Sequence, residues 1–230
     1  MWKNTKDIKT HKVRMLLYGA TGSGKTTAAA TAPNPLFIVP GNENSHVALQ
    51  GRDIPFTTVN SMSCMDSILN DLLVASKGGE LGGYGDTVVV ESLTHYASIV
   101  QEELAGTKGG VMNQHLWGRL STHFDRLRNV LWQLDAHVIL TGLDTVRMDD
   151  DGVVVRAGLR LPGAQGELLP SSCDSVGYCQ QTTTKDGRKF RVHFKQRGHY
   201  PARSRIPALD GIVAEPFVWS ECLAPLLVNK

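Results

Sequence analysis

Eight residues, Gly19-Ala20-Thr21-Gly22-Ser23-Gly24-Lys25-Thr26, restrict this chain more than any other stretch. They fit G-x-x-x-x-G-K-[ST] in full, between a short apolar run, Val13-Arg14-Met15-Leu16-Leu17-Tyr18, and an Ala-rich segment, Thr27 to Thr31, that Pro33 stops. Strand, loop, helix is the context in which such a loop has a mechanism. Glycines let backbone N–H groups turn inward around phosphate oxygens, and the start of the helix adds a favourable dipole. Lys25 is expected to reach the β- and γ-phosphates and Thr26 to ligate Mg²⁺. The expected binding segment is therefore Gly19, Ala20, Thr21, Gly22, Ser23, Gly24, Lys25, Thr26 and Thr27, with Lys25 also catalytic.

Further β-branched runs, Leu36-Phe37-Ile38-Val39, Thr87-Val88-Val89-Val90 and His137-Val138-Ile139-Leu140-Thr141, are separated by helix-length segments. That is the pattern of a largely parallel sheet, and the class is α/β. Between Gln114 and Leu134, Leu116, Leu120, Phe124, Leu127, Leu131 and Leu134 recur every three or four residues, which predicts a helix whose apolar stripe faces the sheet. Ser63 to Val74 reads as a second helix. After Thr141 the pattern turns to C-terminal β-hairpins, one around Asp149-Asp150-Asp151-Gly152 and one around Lys185-Asp186-Gly187.

The 230 residues carry 24 Lys+Arg against 22 Asp+Glu, a net charge of +2, with 41% hydrophobic residues. This is a globular composition, and it argues against coating nucleic acid by bulk charge. A chain of this size buries about 70–75% of its unfolded surface, ample for one core, so residues 1–230 are expected as one domain, with 1–12 an N-terminal extension and 206–230 a C-terminal tail. No apolar run approaches the ~20 residues of a bilayer span and the start lacks a signal segment, so a cytoplasmic protein is expected. Cys64, Cys173, Cys179 and Cys222 lack metal-ligand spacing and read as reduced thiols. His115 and His123 are expected on the solvent side of their helix, and Trp117 and Trp132 at the border of its apolar stripe.

A phosphate loop needs a second carboxylate for the metal, usually Asp at a strand end. Here Val88-Val89-Val90 ends in Glu91, whose extra methylene either shifts the ion or brings the carboxylate near the attacking water. Glu91 is thus the second expected metal ligand beside Thr26. In parallel sheets ligands gather beyond the carboxyl ends of strands, which adds Glu43 as a water-activating base and Thr141 as a γ-phosphate donor. From Lys185 to Arg205 there are eight Lys or Arg and one Asp. Alternation sets Phe190, Val192 and Phe194 on one face and Lys189, Arg191, His193 and Lys195 on the other. Such a ribbon can offer Lys195 or Arg197 to a neighbouring subunit's γ-phosphate, follow a nucleic-acid backbone, or be a solvated face.

Taken together, the residues from about Arg14 to Arg205 resemble the RecA-like core of a phage ATPase family, the single-strand annealing group known as Sak-four. The resemblance rests on Leu17-Tyr18-Gly19, Thr31-Ala32-Pro33-Asn34-Pro35-Leu36-Phe37-Ile38, Val90-Glu91-Ser92-Leu93-Thr94, Val138-Ile139-Leu140-Thr141 and Lys195-Gln196-Arg197. It implies a RecA-like P-loop core, ATP and Mg²⁺ as cofactors, a homo-oligomer (ring or filament), single-stranded DNA and a single-strand-binding protein as partners, and annealing or recombination of phage DNA in the host bacterial cytoplasm. DNA-contacting loops then map onto Ala105 to Gln114 and Asp144 to Gln165, with Lys108, Arg147, Arg156 and Arg160 as the expected contacts. Two positions depart from the family pattern: Val39-Pro40-Gly41 stands where Asp-x-Glu is usual, with Glu43 as substitute, and Glu91 replaces Asp. Slow or partner-dependent turnover follows as an expectation, with a nucleotide-gated assembly or DNA-binding module as the alternative. A small-molecule phosphotransferase is disfavoured, since no Arg-rich lid or acceptor motif is present.

Overall fold

A computed structural model describes residues 12–77, 81, 85–185 and 187–223. The expected extension, the Gly78-Gly79 and Gly82-Gly83 clusters, Asp186 of the second hairpin turn and the last seven residues lie wholly or largely outside them.

Valine, isoleucine and leucine runs that are buried on both sides become the strands of one mixed sheet. β1 (Arg14–Tyr18), β2 (Pro35–Pro40), β3 (Phe56–Val59), β4 (Thr87–Val90), β5 (His137–Gly142) and the start of β8 (Ser175–Thr184) run parallel, in the spatial order β3-β2-β4-β5-β1-β8. β9 (Gly187–His193) returns antiparallel on β8, β11 (Val213–Ala214) adds to β9, and β10 (Arg203–Ser204) pairs with β8. β6 (Asp144–Met148) and β7 (Val154–Leu159) form a separate antiparallel ribbon. The expected α/β class, mostly parallel sheet and C-terminal hairpins are all present.

Alternation along β1 divides the core. Leu16 and Tyr18 face a layer built from α2 (Met62–Lys77), α3 (Leu93–Ala105), α4 (Gln114–Leu131) and α5 (Gln165–Ser172). Met15 and Leu17 face α1 (Lys25–Ala29) and the chain's later part, where Ile206, Leu209, Phe217, Trp219 at the start of α6 (Trp219–Cys222) and Leu223 are buried. Covering both faces is what lets the central strands be buried along almost their whole length and mostly apolar. No helix among the described residues is long and apolar enough to cross a membrane.

The helix expected over Gln114 to Leu134 is α4, ending at Leu131, with Asn113 accepting from the Leu116 amide as its cap. It buries Leu120, Phe124, Leu127 and Leu131 as expected, but also His123, which the reading of the sequence placed toward solvent. The reason is a partner on α3: the Tyr96 hydroxyl hydrogen-bonds His123 Nε2, and burial pushes the imidazole pKa below its ordinary value, so the ring is accommodated neutral. α3 itself, the short β3 and α5 escaped the reading of periodicity.

Candidate nucleotide site

β1 delivers the chain into the loop at Gly19, where φ is +155° and a Cβ would stand 2.2 Å from the Cys179 carbonyl oxygen of β8. Only glycine lets the neighbouring strand come that close. The loop ends at Gly24, left-handed at φ 88°, which caps α1. Lys25 then turns back: its Nζ donates to the Gly19 and Ala20 carbonyls at 3.0 and 2.8 Å, with Ser23 Oγ at 3.4 Å. The amine is buried, and among the described residues its hydrogen bonds go only to neutral acceptors, so phosphate oxygens are its better partners.

Glu91 leaves the end of β4 and is 2% exposed. Its Oε2 has no hydrogen-bond partner among the described residues. Burial first, then the Glu43 charge, push the carboxyl up to about 7, while Lys25 and hydrogen bonds from Thr141 and Thr26 pull it down. An unpartnered buried carboxylate oxygen beside a threonine hydroxyl, below a phosphate loop, is a donor set suited to a hard divalent cation, and the residues present fit Mg²⁺ held with a nucleotide. Thr141, expected on the γ-phosphate, instead bonds inward to Glu91 and to the Val90 carbonyl, at 3.3 Å from the latter.

Glu43, on the turn after β2, reaches the same cleft. Its Oε2 lies 2.8 Å from His95 Nδ1, and that nitrogen is 3.0 Å from Ser92 Oγ. Asn42 Nδ2 donates to the His95 carbonyl and to Ser98 Oγ, so the turn is tied to the first turns of α3. The cleft, about 280 Å³, joins Thr21, Gly22 and Gly24 to Thr27 with Glu43, Glu91, Ser92 and Phe190. His95 and Phe190 were not expected here. No spacing signals either one, because His95 meets the cleft only through its contact with Glu43 and Phe190 arrives from β9, more than 160 residues after the loop.

The basic residues divide. Lys195 and Arg197 are exposed and do not line this cleft; Arg197 Nε donates to Gln180 Oε1 at 3.0 Å in a turn closed by Tyr200. Lys189 and Arg191, expected as a free cationic face, both ion-pair with Glu215, and His193 on that face is buried. Hydrogen bonds from Arg191 and then Lys189 hold the Glu215 pKa below its ordinary value, so one carboxylate offsets part of the charge of this stretch of the ribbon from within the chain.

Arg147 and Arg156 stand opposite each other across β6 and β7, lining with Arg203 a second cavity of about 670 Å³ between the ribbon, α5 and the end of β1. It is larger than the cleft, but the phosphate loop and the carboxylates are all in the smaller one. Arg156 also ion-pairs with Glu167. Arg160 uses its Nε on the Asp144 carbonyl at 3.0 Å, fastening the ribbon's own root. Lys108 lies apart, exposed after α3.

Residues 11–206 match the model of a family described as AAA domain. No curated protein matches the chain. Among solved structures, a KaiC-like protein from the hyperthermophilic archaeon Pyrococcus horikoshii OT3 is similar in fold, with a TM-score of 0.50 and 13% identity over 88% of this chain and 84% of that one. A phosphate loop with its buried carboxylate, on a mostly parallel sheet matched across most of its length, places this chain in the AAA-domain family of P-loop ATPases.

Proposed function

We propose that this protein binds ATP with Mg²⁺ in the cleft and uses it to act on single-stranded DNA, as a homo-oligomer that promotes annealing or recombination of phage DNA. The observation that carries the nucleotide half is Glu91, a buried carboxylate with an unpartnered oxygen beside Thr26 under the phosphate loop. The DNA half is supported by the resemblance to the annealing group and by the two ribbon arginines brought opposite each other.

In this reading Lys25 exchanges its loop carbonyls for phosphate oxygens, and Thr26 and Glu91 hold the cation. Bound Mg²⁺ would neutralise charge on the phosphate oxygens. Glu43 takes the proton of the attacking water, and the His95 ring keeps its carboxylate aimed into the cleft. Lys195 and Arg197, outside their own cleft, serve a neighbouring subunit. Equilibrium binding of a fluorescent ATP analogue tests the site: Lys25→Ala should lose it, and undiminished binding would refute the assignment.

The second reading, a nucleotide-gated assembly or DNA-binding module with little hydrolysis, is favoured by the elevated Glu91 pKa, since a carboxyl near about 7 is half protonated at neutral pH until a cation displaces the proton. ATP retained unhydrolysed after prolonged incubation would support it.

A further inference from the structure

We propose that Phe190 is the platform on which the base of a bound nucleoside triphosphate stacks, an inference that rests on the nucleotide reading of the cleft. Phe190 shares a face of β9 with Val192, and Phe194 follows in the same alternation; those two are 4% and 0% exposed, whereas Phe190 is 38% exposed. Position explains the difference. β8 pairs with β1 only as far as Tyr178, while Phe190 is opposite Gln181, so the β8–β9 hairpin outruns the sheet and rises beside the phosphate loop. There the second apolar layer has ended and the ring meets the loop instead. A Cβ built on Gly24 would lie 3.0 Å from Phe190 Cδ1, and one on Gly22 3.8 Å from Gln181 Oε1.

The ring lines a cleft whose polar chemistry is loop amides, Lys25, Thr26, Glu43 and Glu91, and whose other apolar lining residues, Ala48 and Leu143, are aliphatic. A phenyl group has nothing to offer phosphate charge. It offers a flat apolar face, and the flat apolar part of a nucleoside triphosphate is its base. The cleft, about 280 Å³, falls at the small end of ligand pockets, so it is sized for the phosphates and leaves the base at the open rim, where the exposed part of Phe190 stands. Stacking tolerates any base because each has a π-face, so the site should take ATP and GTP alike unless other groups discriminate.

The test is calorimetric binding of ATP, GTP and inorganic tripolyphosphate, each with Mg²⁺, to the wild-type chain and to Phe190→Ala, Phe190→Leu and Phe190→Trp. Leucine keeps an apolar group against the loop without a ring, so it guards against a variant that merely distorts the loop. Loss of one stacked base should weaken ATP and GTP about tenfold in the Ala and Leu variants, leave tripolyphosphate unchanged, and be reversed by Trp. Equal loss of ATP and tripolyphosphate, or wild-type ATP affinity in Phe190→Leu, would overturn the proposal. Tripolyphosphate affinity unaffected by Lys25→Ala would overturn the reading of the cleft itself, and this proposal with it.

Discussion

Glu91 shows most directly how function costs this fold stability. Its carboxyl is pushed up to about 7 from an ordinary value of 4.5, mainly by burial. Between those values the unfolded chain releases a proton that the folded chain keeps, so stability falls as pH rises through the interval and the full penalty is present above it. Glu91→Gln should therefore melt higher than the wild type at pH 8 without nucleotide, and the gap should close toward pH 4.5; a constant gap across pH would contradict the assignment. The same variant should lose Mg²⁺-dependent hydrolysis. His95 makes a different prediction through Glu43: His95→Gln should lower kcat while leaving KM for ATP nearly unchanged, and an unchanged kcat would leave His95 a structural tie only. Lys25, Thr26 and Glu91 were readable in the sequence because each is fixed by its nearest neighbours along the chain. His95 and Phe190 were not, because their placement at the cleft depends on where α3 and β9 come to lie.

Elements were legible where burial is two-sided. β1, β2, β4 and β5 are largely apolar runs with no alternation to confuse, and both hairpin segments hold an Asp-Gly pair in the sequence. β3 escaped because Phe56 and Thr58 are exposed at the sheet's edge, leaving little apolar signal, and α3 because its β-branched Ile99 and Val100 dilute a helical pattern. The basic segment reads as more open than it is for an electrostatic reason: Glu215, more than twenty residues on, ion-pairs with both Lys189 and Arg191 and offsets part of their charge. Among the DNA candidates the ribbon now separates two roles. Arg147→Ala should weaken single-stranded DNA binding and reduce the slope of log affinity against log salt by about 0.7, one phosphate contact on a single strand. Arg160→Ala should mainly loosen the ribbon's root, seen as faster amide exchange in β6 and β7. Equal salt slopes for Arg147→Ala and wild type would remove Arg147 from the DNA path.

At the scale of the molecule, the sheet brings together groups that the chain holds far apart. β1 lies between β5 and β8, and β4 follows β5, so the phosphate loop, Glu91 and Thr141 converge at one end of the sheet while β8 and β9 carry Phe190 over the loop. Neither Lys195 nor Arg197 lines the cleft of its own chain, and in the proposed function both serve a neighbouring subunit. Arg197→Ala should leave ATP-analogue affinity intact and lower turnover, and mixing it with a Lys25→Ala chain should restore some activity through hybrid neighbours; no restoration would reject the role in trans. The measurement that bears most directly on the whole account is steady-state ATP hydrolysis at low salt, with and without single-stranded DNA, against Lys25→Ala as blank. Slow turnover that DNA stimulates and Lys25→Ala abolishes is expected. Turnover indifferent to DNA, or ATP bound but never hydrolysed in its presence, would contradict it.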